Sequence, residues 1–159
     1  MPTPPQPIFI LGPTGCGKSS VAVALAEHLG NAEIVSADAY QVYRELPILT
    51  AAPSAGEMAR VPHHLVACMG VQESNDAATH ARKAQACIRQ IQQRGCTPIV
   101  TGGSGLYVKF ISHGISPAPP SDEALRAELA ALPLQEAVRR LQEADPEGAA
   151  ATDLQNPRY

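Results

Sequence analysis

The chain has 159 residues, 45% of them hydrophobic, with a formal charge of −3; that is enough apolar material for one buried core. The slightly acidic balance excludes strong electrostatic attraction to nucleic acid by this chain alone. Trp is absent and aromatics make up only 4% of residues, so the core must rest on Ala, Val, Leu and Ile.

Ile8–Leu11 is an apolar run that predicts a short buried strand. Gly17 to about Leu29 predicts a helix, because Val21, Leu25 and Leu29 recur at i, i+4 and i+8 and Gly30 supplies a stop. Glu33–Ala37 predicts a second buried strand ending at Asp38, and PHHLVACM (62–69) a third extended segment. Asn75 or Ser74 is placed to cap a long helix over about Ala77–Arg94, closed by Gly95, with Ala84, Cys87, Ile88 and Ile91 on one face. Thr97–Thr101 predicts another strand, followed by GGSGLY and a helix from Leu106. Strands alternating with helices predict an α/β fold, a parallel sheet covered on both faces.

Composition changes at SPAPPSD (116–122), where three prolines forbid a helix interior. Residues 1–115 are therefore expected to form the α/β core, and residues 116–159 a proline-rich linker and short acidic helices. Those helices are expected at about Asp122–Leu132 and Pro133–Ala144. The charge follows this division: residues 1–115 carry 8 Lys and Arg against 7 Asp and Glu, and residues 116–159 carry 4 against 8. No secretory leader or transmembrane run is evident, and Cys16, Cys68, Cys87 and Cys96 lack C-x-x-C spacing. Free thiols in a reducing cytosol are expected.

The chemistry concentrates in IFILGPTGCGKSS (8–20). Gly12, Gly17, Lys18 and Ser19 match G-x-x-x-x-G-K-[ST] between a predicted strand and a predicted helix. Glycines let backbone N–H groups approach anionic oxygens, and the helix N-terminus adds its positive end. Lys18 adds a point charge, and the Ser19 hydroxyl suits Mg²⁺. The motif alone indicates a phosphate-binding loop. Two features separate it from an ordinary ATPase. PIVT (98–101) ends in Thr101 and glycines where a Mg²⁺-holding Asp often sits, and Asp38 is the one acid at a strand's C-terminal end, where ligands bind in such sheets. His63 and His64 would point to opposite faces of a strand and make a poor metal pair, one packed and one near the site.

GPTGCGKS, SADAYQVYRELPI, TAAP, PHHL, GGSGLY and NPRY occur in the order and at about the spacing of the tRNA dimethylallyltransferases, which the chain resembles from Ile8 to Tyr159. The resemblance implies transfer of a dimethylallyl group from dimethylallyl diphosphate to the exocyclic amine of the adenosine 3′ of the anticodon in tRNA. It implies that Gly12, Pro13, Thr14, Gly15, Cys16, Gly17, Lys18 and Ser19, with Arg126, hold the diphosphate, and that Mg²⁺ sits on Ser19. It implies Asp38 as general base, Ser104 as a hydrogen-bonding hydroxyl in catalysis, and Asp38, Ala39, Tyr40, Gln41 and Arg158 as tRNA contacts. A cytoplasmic monomer acting on the tRNA anticodon stem-loop, with no membrane association, is the expectation.

Ser104 stands where the family has Thr, Ala39 and Tyr40 where Ser and Arg are usual, and Ala52 where Lys is common. Family members are longer, so the resemblance implies an N-terminal fragment. Two other readings remain open on the residues: a small P-loop kinase or NTPase, and a non-catalytic fragment that only binds phosphate.

Overall fold

The computed structural model describes residues 3–115 and 122–155. Among them, β1 (Ile8–Leu11), β2 (Ala32–Ser36), β3 (His63–His64) and β4 (Thr97–Gly102) form a parallel sheet in the order β1-β4-β2-β3. Ile8 pairs with Ile99 and Leu11 with Gly102 on one side of β4; Ala32 pairs with Thr97 and Ser36 with Thr101 on the other. The expected α/β class and parallel sheet are what the structure shows.

The helices of this unit are α1 (Lys18–Leu29), α2 (Ala55–Arg60), α3 (Ala77–Gln93) and α4 (Gly105–His113). Successive strand residues alternate between two cores. Ile34 and Ile99 pack with Ala22, Val23 and Ala26 of α1 and with Val61. Val35 and Val100 pack with Ala81, Ala84, Ile88 and Ile91 of α3 and Ile111 of α4. Each such Val or Ile contributes about 1.5–3 kcal/mol by leaving water, which explains why Ile99 and Val100, on opposite faces of β4, are both apolar and fully buried.

Several expectations need correction. The buried face of α1 is Ala22, Val23 and Ala26; Val21 and Leu29 are exposed. This helix is apolar around most of its girth, and its small residues face the strands closely. The cap of α3 is Asp76, not Asn75 or Ser74: its carboxylate accepts from the Thr79 N–H at 2.8 Å. The extended segment at 62–69 shrinks to His63–His64, because Leu65 and Ala67 take positive φ (60° and 47°) and turn the chain off the sheet. Met69 pairs with Tyr43 in an isolated bridge outside the sheet. The sequence reading missed α2, whose six residues are too few to show a period. Ser54 and Glu57 nevertheless form a capping box there.

The chain divides into Met1–Ser116 and Pro117–Tyr159. The second unit holds α5 (Glu123–Ala130), α6 (Leu134–Ala144) and α7 (Pro146–Ala150). Asp122 caps α5 by accepting from the Ala124 and Leu125 N–H groups. Arg139 bonds Glu136 and Glu143, while Arg140 bonds Glu128 and Glu136. Arg139 first and Arg140 second hold the Glu136 carboxyl down to about 2. No helix among the described residues is long and apolar enough to cross a membrane.

Candidate active site

The order β1-β4-β2 decides what meets what. The loop after β1 and the turn after β2 emerge on either side of the end of β4, two strand spacings or about 10 Å apart. Gly102 closes β4 between them. A Cβ there would lie 2.5 Å from the Ala37 carbonyl oxygen, so only glycine allows this approach.

In the loop, Gly17 adopts φ 86° and serves as N-cap of α1, which starts at Lys18. The Lys18 ammonium donates to the Pro13 carbonyl at 2.6 Å, and the Cys16 N–H donates to the same oxygen at 3.4 Å. A Cβ on Gly12 would meet the Cys16 sulfur at 2.9 Å, so that side chain turns back toward Gly12.

Beyond β2 the chain makes a tight turn around Asp38. Its Oδ1 accepts the Tyr40 N–H at 2.9 Å and the Gln41 N–H at 3.3 Å. The Asp38 N–H donates to Ser36 Oγ at 3.3 Å, and that hydroxyl donates to Gln41 Oε1 at 3.0 Å. Gln41 Nε2 in turn donates to the Ala51 carbonyl at 3.2 Å, which ties down the 50–51 segment. Asp38 Oδ2 has no hydrogen-bond partner among the described residues.

The loop and the turn face one cavity of about 410 Å³, counted with its open mouth. Thr14, Gly15, Lys18 and Ser19 line it from the β1 side; Asp38 and Gln41 line it from the β2 side; Thr50, Ala51, Thr101 and Gly102 complete it. Thr14, Asp38 and Thr50 also line a second, more apolar cavity of about 670 Å³, likewise counted with its open mouth, walled by Tyr40, Leu46 and Leu49. The arrangement offers an anion site and an apolar recess that share a carboxylate.

The other expected site residues are placed as follows. Gly12, Pro13, Cys16 and Gly17 shape the loop without lining the cavity. Ser104 is the N-cap of α4, makes no side-chain cap bond, and is not among the lining residues. Ala39 is half-buried and Tyr40 is exposed. Arg126 lies in the first turn of α5, in the second unit. Arg158 lies outside the described residues. Neither histidine of the 63–64 pair reaches the cavity: His63 Nδ1 contacts the Val61 carbonyl and His64 bonds Glu33. Sequence reasoning did not assign Thr50, Ala51, Thr101 or Gly102 to the site. Thr101 and Gly102 carried a signal, standing at a strand's C-terminal end.

No group of three or more His, Cys, Asp or Glu among the described residues is placed to hold a metal ion. The side-chain oxygen donors on the lining residues are the Thr14, Ser19, Thr50 and Thr101 hydroxyls, the Gln41 amide oxygen and the Asp38 carboxylate. Such an all-oxygen set with a single carboxylate fits Mg²⁺, which keeps waters and takes its remaining ligands from substrate phosphates.

Known proteins show the same frame. The family model described as IPP transferase matches residues 41–159. A tRNA dimethylallyltransferase of Akkermansia muciniphila is 59% identical over 152 residues, covering 96% of this chain and 51% of that protein. One from Halorhodospira halophila is 50% identical over 147 residues, covering 90% and 47%. The full-length tRNA isopentenylpyrophosphate transferase of Bacillus halodurans superposes with a TM-score of 0.68 at 36% identity, covering 98% of this chain and 52% of that one. A eukaryotic dimethylallyltransferase acting on tRNA gives 0.84 at 25% identity, covering 97% and 39%. The chain thus spans about half the length of the curated relatives it matches. The family model covers residues 41–159, and the aligned relatives and superposed structures cover 90% or more of the chain: the chain belongs to the IPP transferase family.

Proposed function

We propose that the protein transfers a dimethylallyl group from dimethylallyl diphosphate to the N6 amine of the adenosine 3′ of the anticodon in tRNA. The observation that carries this reading is the single cavity shared by the Gly15–Ser19 loop and Asp38.

The diphosphate is received by the loop N–H groups and the N-terminus of α1, with Lys18 exchanging the Pro13 carbonyl for a phosphate oxygen. These groups stabilise charge that grows as the allylic C–O bond breaks and its electron pair passes to the leaving diphosphate. Mg²⁺ on Ser19, when bound, supplies further neutralisation of that charge. The dimethylallyl tail occupies the recess of Tyr40, Leu46 and Leu49. The N6 nitrogen forms the new bond to the allylic carbon, and its proton goes to Asp38 Oδ2, the oxygen not committed to the turn. Ala39, Tyr40, Gln41 and Arg158 on the RNA, and Ser104 and Arg126 on the diphosphate, belong to the same proposal.

The test is to incubate the protein with Mg²⁺, dimethylallyl diphosphate and an anticodon stem-loop, and to follow the prenylated adenosine by mass spectrometry. A product heavier by one dimethylallyl group is expected, with ATP failing to compete for the donor. Displacement of the donor by ATP with phosphate release would establish an NTPase instead.

A further inference from the structure

His80, on α3, is fully buried and lines neither cavity of the site. Its Nε2–H donates to the Ser36 carbonyl at 2.8 Å, where β2 ends. Its Nδ1 lies 3.4 Å from the Asn75 side-chain nitrogen. The Tyr107 ring packs on it edge-on at a centroid distance of 5.1 Å, and the Tyr107 hydroxyl donates to the Asn75 carbonyl at 3.3 Å. Donation at Nε2 and acceptance at Nδ1 define one neutral tautomer. Burial pushes the imidazole pKa down and Lys83 adds to that, against the Ser36 carbonyl and Asp38. A Phe would fill this volume with no polar atom to satisfy. What the imidazole adds over such a ring is the contact from Asn75 at 3.4 Å and the shorter bond to Ser36 at 2.8 Å.

That bond acts on one peptide unit. The Ser36 carbonyl and the Ala37 N–H belong to the same plane. His80 holds the carbonyl, and the Thr101 carbonyl accepts the N–H at 2.8 Å. The plane is therefore clamped at both edges, one residue before Asp38. The Ser36 side chain continues the restraint through the Asp38 N–H and Gln41.

We propose that His80 is a positioning residue for Asp38: from α3 it locks the Ser36–Ala37 peptide plane, and so sets the direction in which Asp38 Oδ2 faces the phosphate loop. The inference rests on the reading of Asp38 as the proton acceptor. Because the restraint is on orientation and not on donor contacts, it belongs to kcat and not to KM for the donor.

Three variants of the protein as expressed from its gene test this. His80→Leu removes the donor and keeps the bulk. His80→Gln keeps an N–H donor at the same reach. Asp76→Ala weakens the cap of the same helix without touching the clamp. The expected result is a loss of about tenfold in kcat for His80→Leu with donor KM unchanged, most of it recovered by His80→Gln and none of it seen in Asp76→Ala. Amide hydrogen exchange at Tyr40 and Gln41, which report the Asp38 turn, should rise in His80→Leu alone. Equal kcat in His80→Leu and Asp76→Ala, a loss confined to KM, or a folded His80→Gln that recovers nothing would overturn the proposal. Absence of transfer by the unaltered protein would instead sink the functional reading, and the amide exchange would then decide the role of His80 by itself.

Discussion

Each end of β2 has a carboxylate beside a histidine from a neighbouring element, and the two ends are built on opposite terms. Near its start, Glu33 takes a bidentate grip from Arg94 and a 2.7 Å bond from His64. Burial pushes the Glu33 carboxyl up, but Arg94 and His64 outweigh it and keep it below the usual carboxylate range. The Cys87 sulfur and then Glu33 hold the His64 pKa above its ordinary value, against partial burial. Beyond the other end, Asp38 has one oxygen tied to backbone and one uncommitted, and its neighbouring histidine is neutral and buried. Where charges satisfy one another the strand is anchored; where one carboxylate oxygen is left without a partner beside the Gly12–Ser19 loop, it is open to the proton transfer proposed for it.

The largest effect should come from neutralising the free end. Asp38→Asn is expected to lower kcat for prenyl transfer by about 10²–10⁴-fold while calorimetry finds the melting temperature unchanged. Gly102→Ala would push a Cβ to 2.5 Å from the Ala37 oxygen. It should cost about 1–3 kcal/mol in a urea titration and impair transfer as well, since it moves the wall between the two strand ends.

Glu33→Gln should show the reverse of Asp38→Asn: Tm lower by about 2–4 °C, kcat untouched. A kinetic defect there would dissolve the division between anchor and site.

The subtlest test is pH. His80 has its pKa lowered on folding from an ordinary 6.5, so the unfolded chain binds its proton first. Its contribution is complete above pH 6.5 and is lost as pH falls toward the folded value. His64 has its pKa raised, so its contribution is complete below pH 6.5 and is lost as pH climbs through the folded value. Melting temperatures from pH 5 to 8.5 should therefore lose part of their acid-side slope in His80→Gln and part of their alkaline-side slope in His64→Gln. The same change on the same side in both would refute the assignment.

Much of this was legible in the chain. The loop from Gly12 to Ser19 follows a strand whose bounds, Ile8–Leu11, match the apolar run, but the burial expected for that run is only partial: β1 lies at the sheet's edge, Ile8 to Ile10 are half-buried and Leu11 is exposed. Asp38 was legible as the acid at a strand's end. The buried face of α1 was not, since a helix apolar on most sides has no stripe to read. His80 was not legible either: one histidine in a helix of Ala, Arg and Gln carries no mark of the carbonyl it will meet 44 positions earlier. Thr50 and Ala51 were legible only as part of TAAP; that they line the cavity depends on Gln41 tying their segment to the turn.

The central place of β4 has a consequence for assembly. Residues 8–11 and 32–36 leave the ribosome early, yet in the sheet they are joined through residues 97–102, which emerge much later. Loop-closure entropy favours near neighbours, but here the late strand is the mortar between two early bricks. The anion loop and its facing acid are therefore synthesised first and brought together last, so no partly made chain presents a finished pocket.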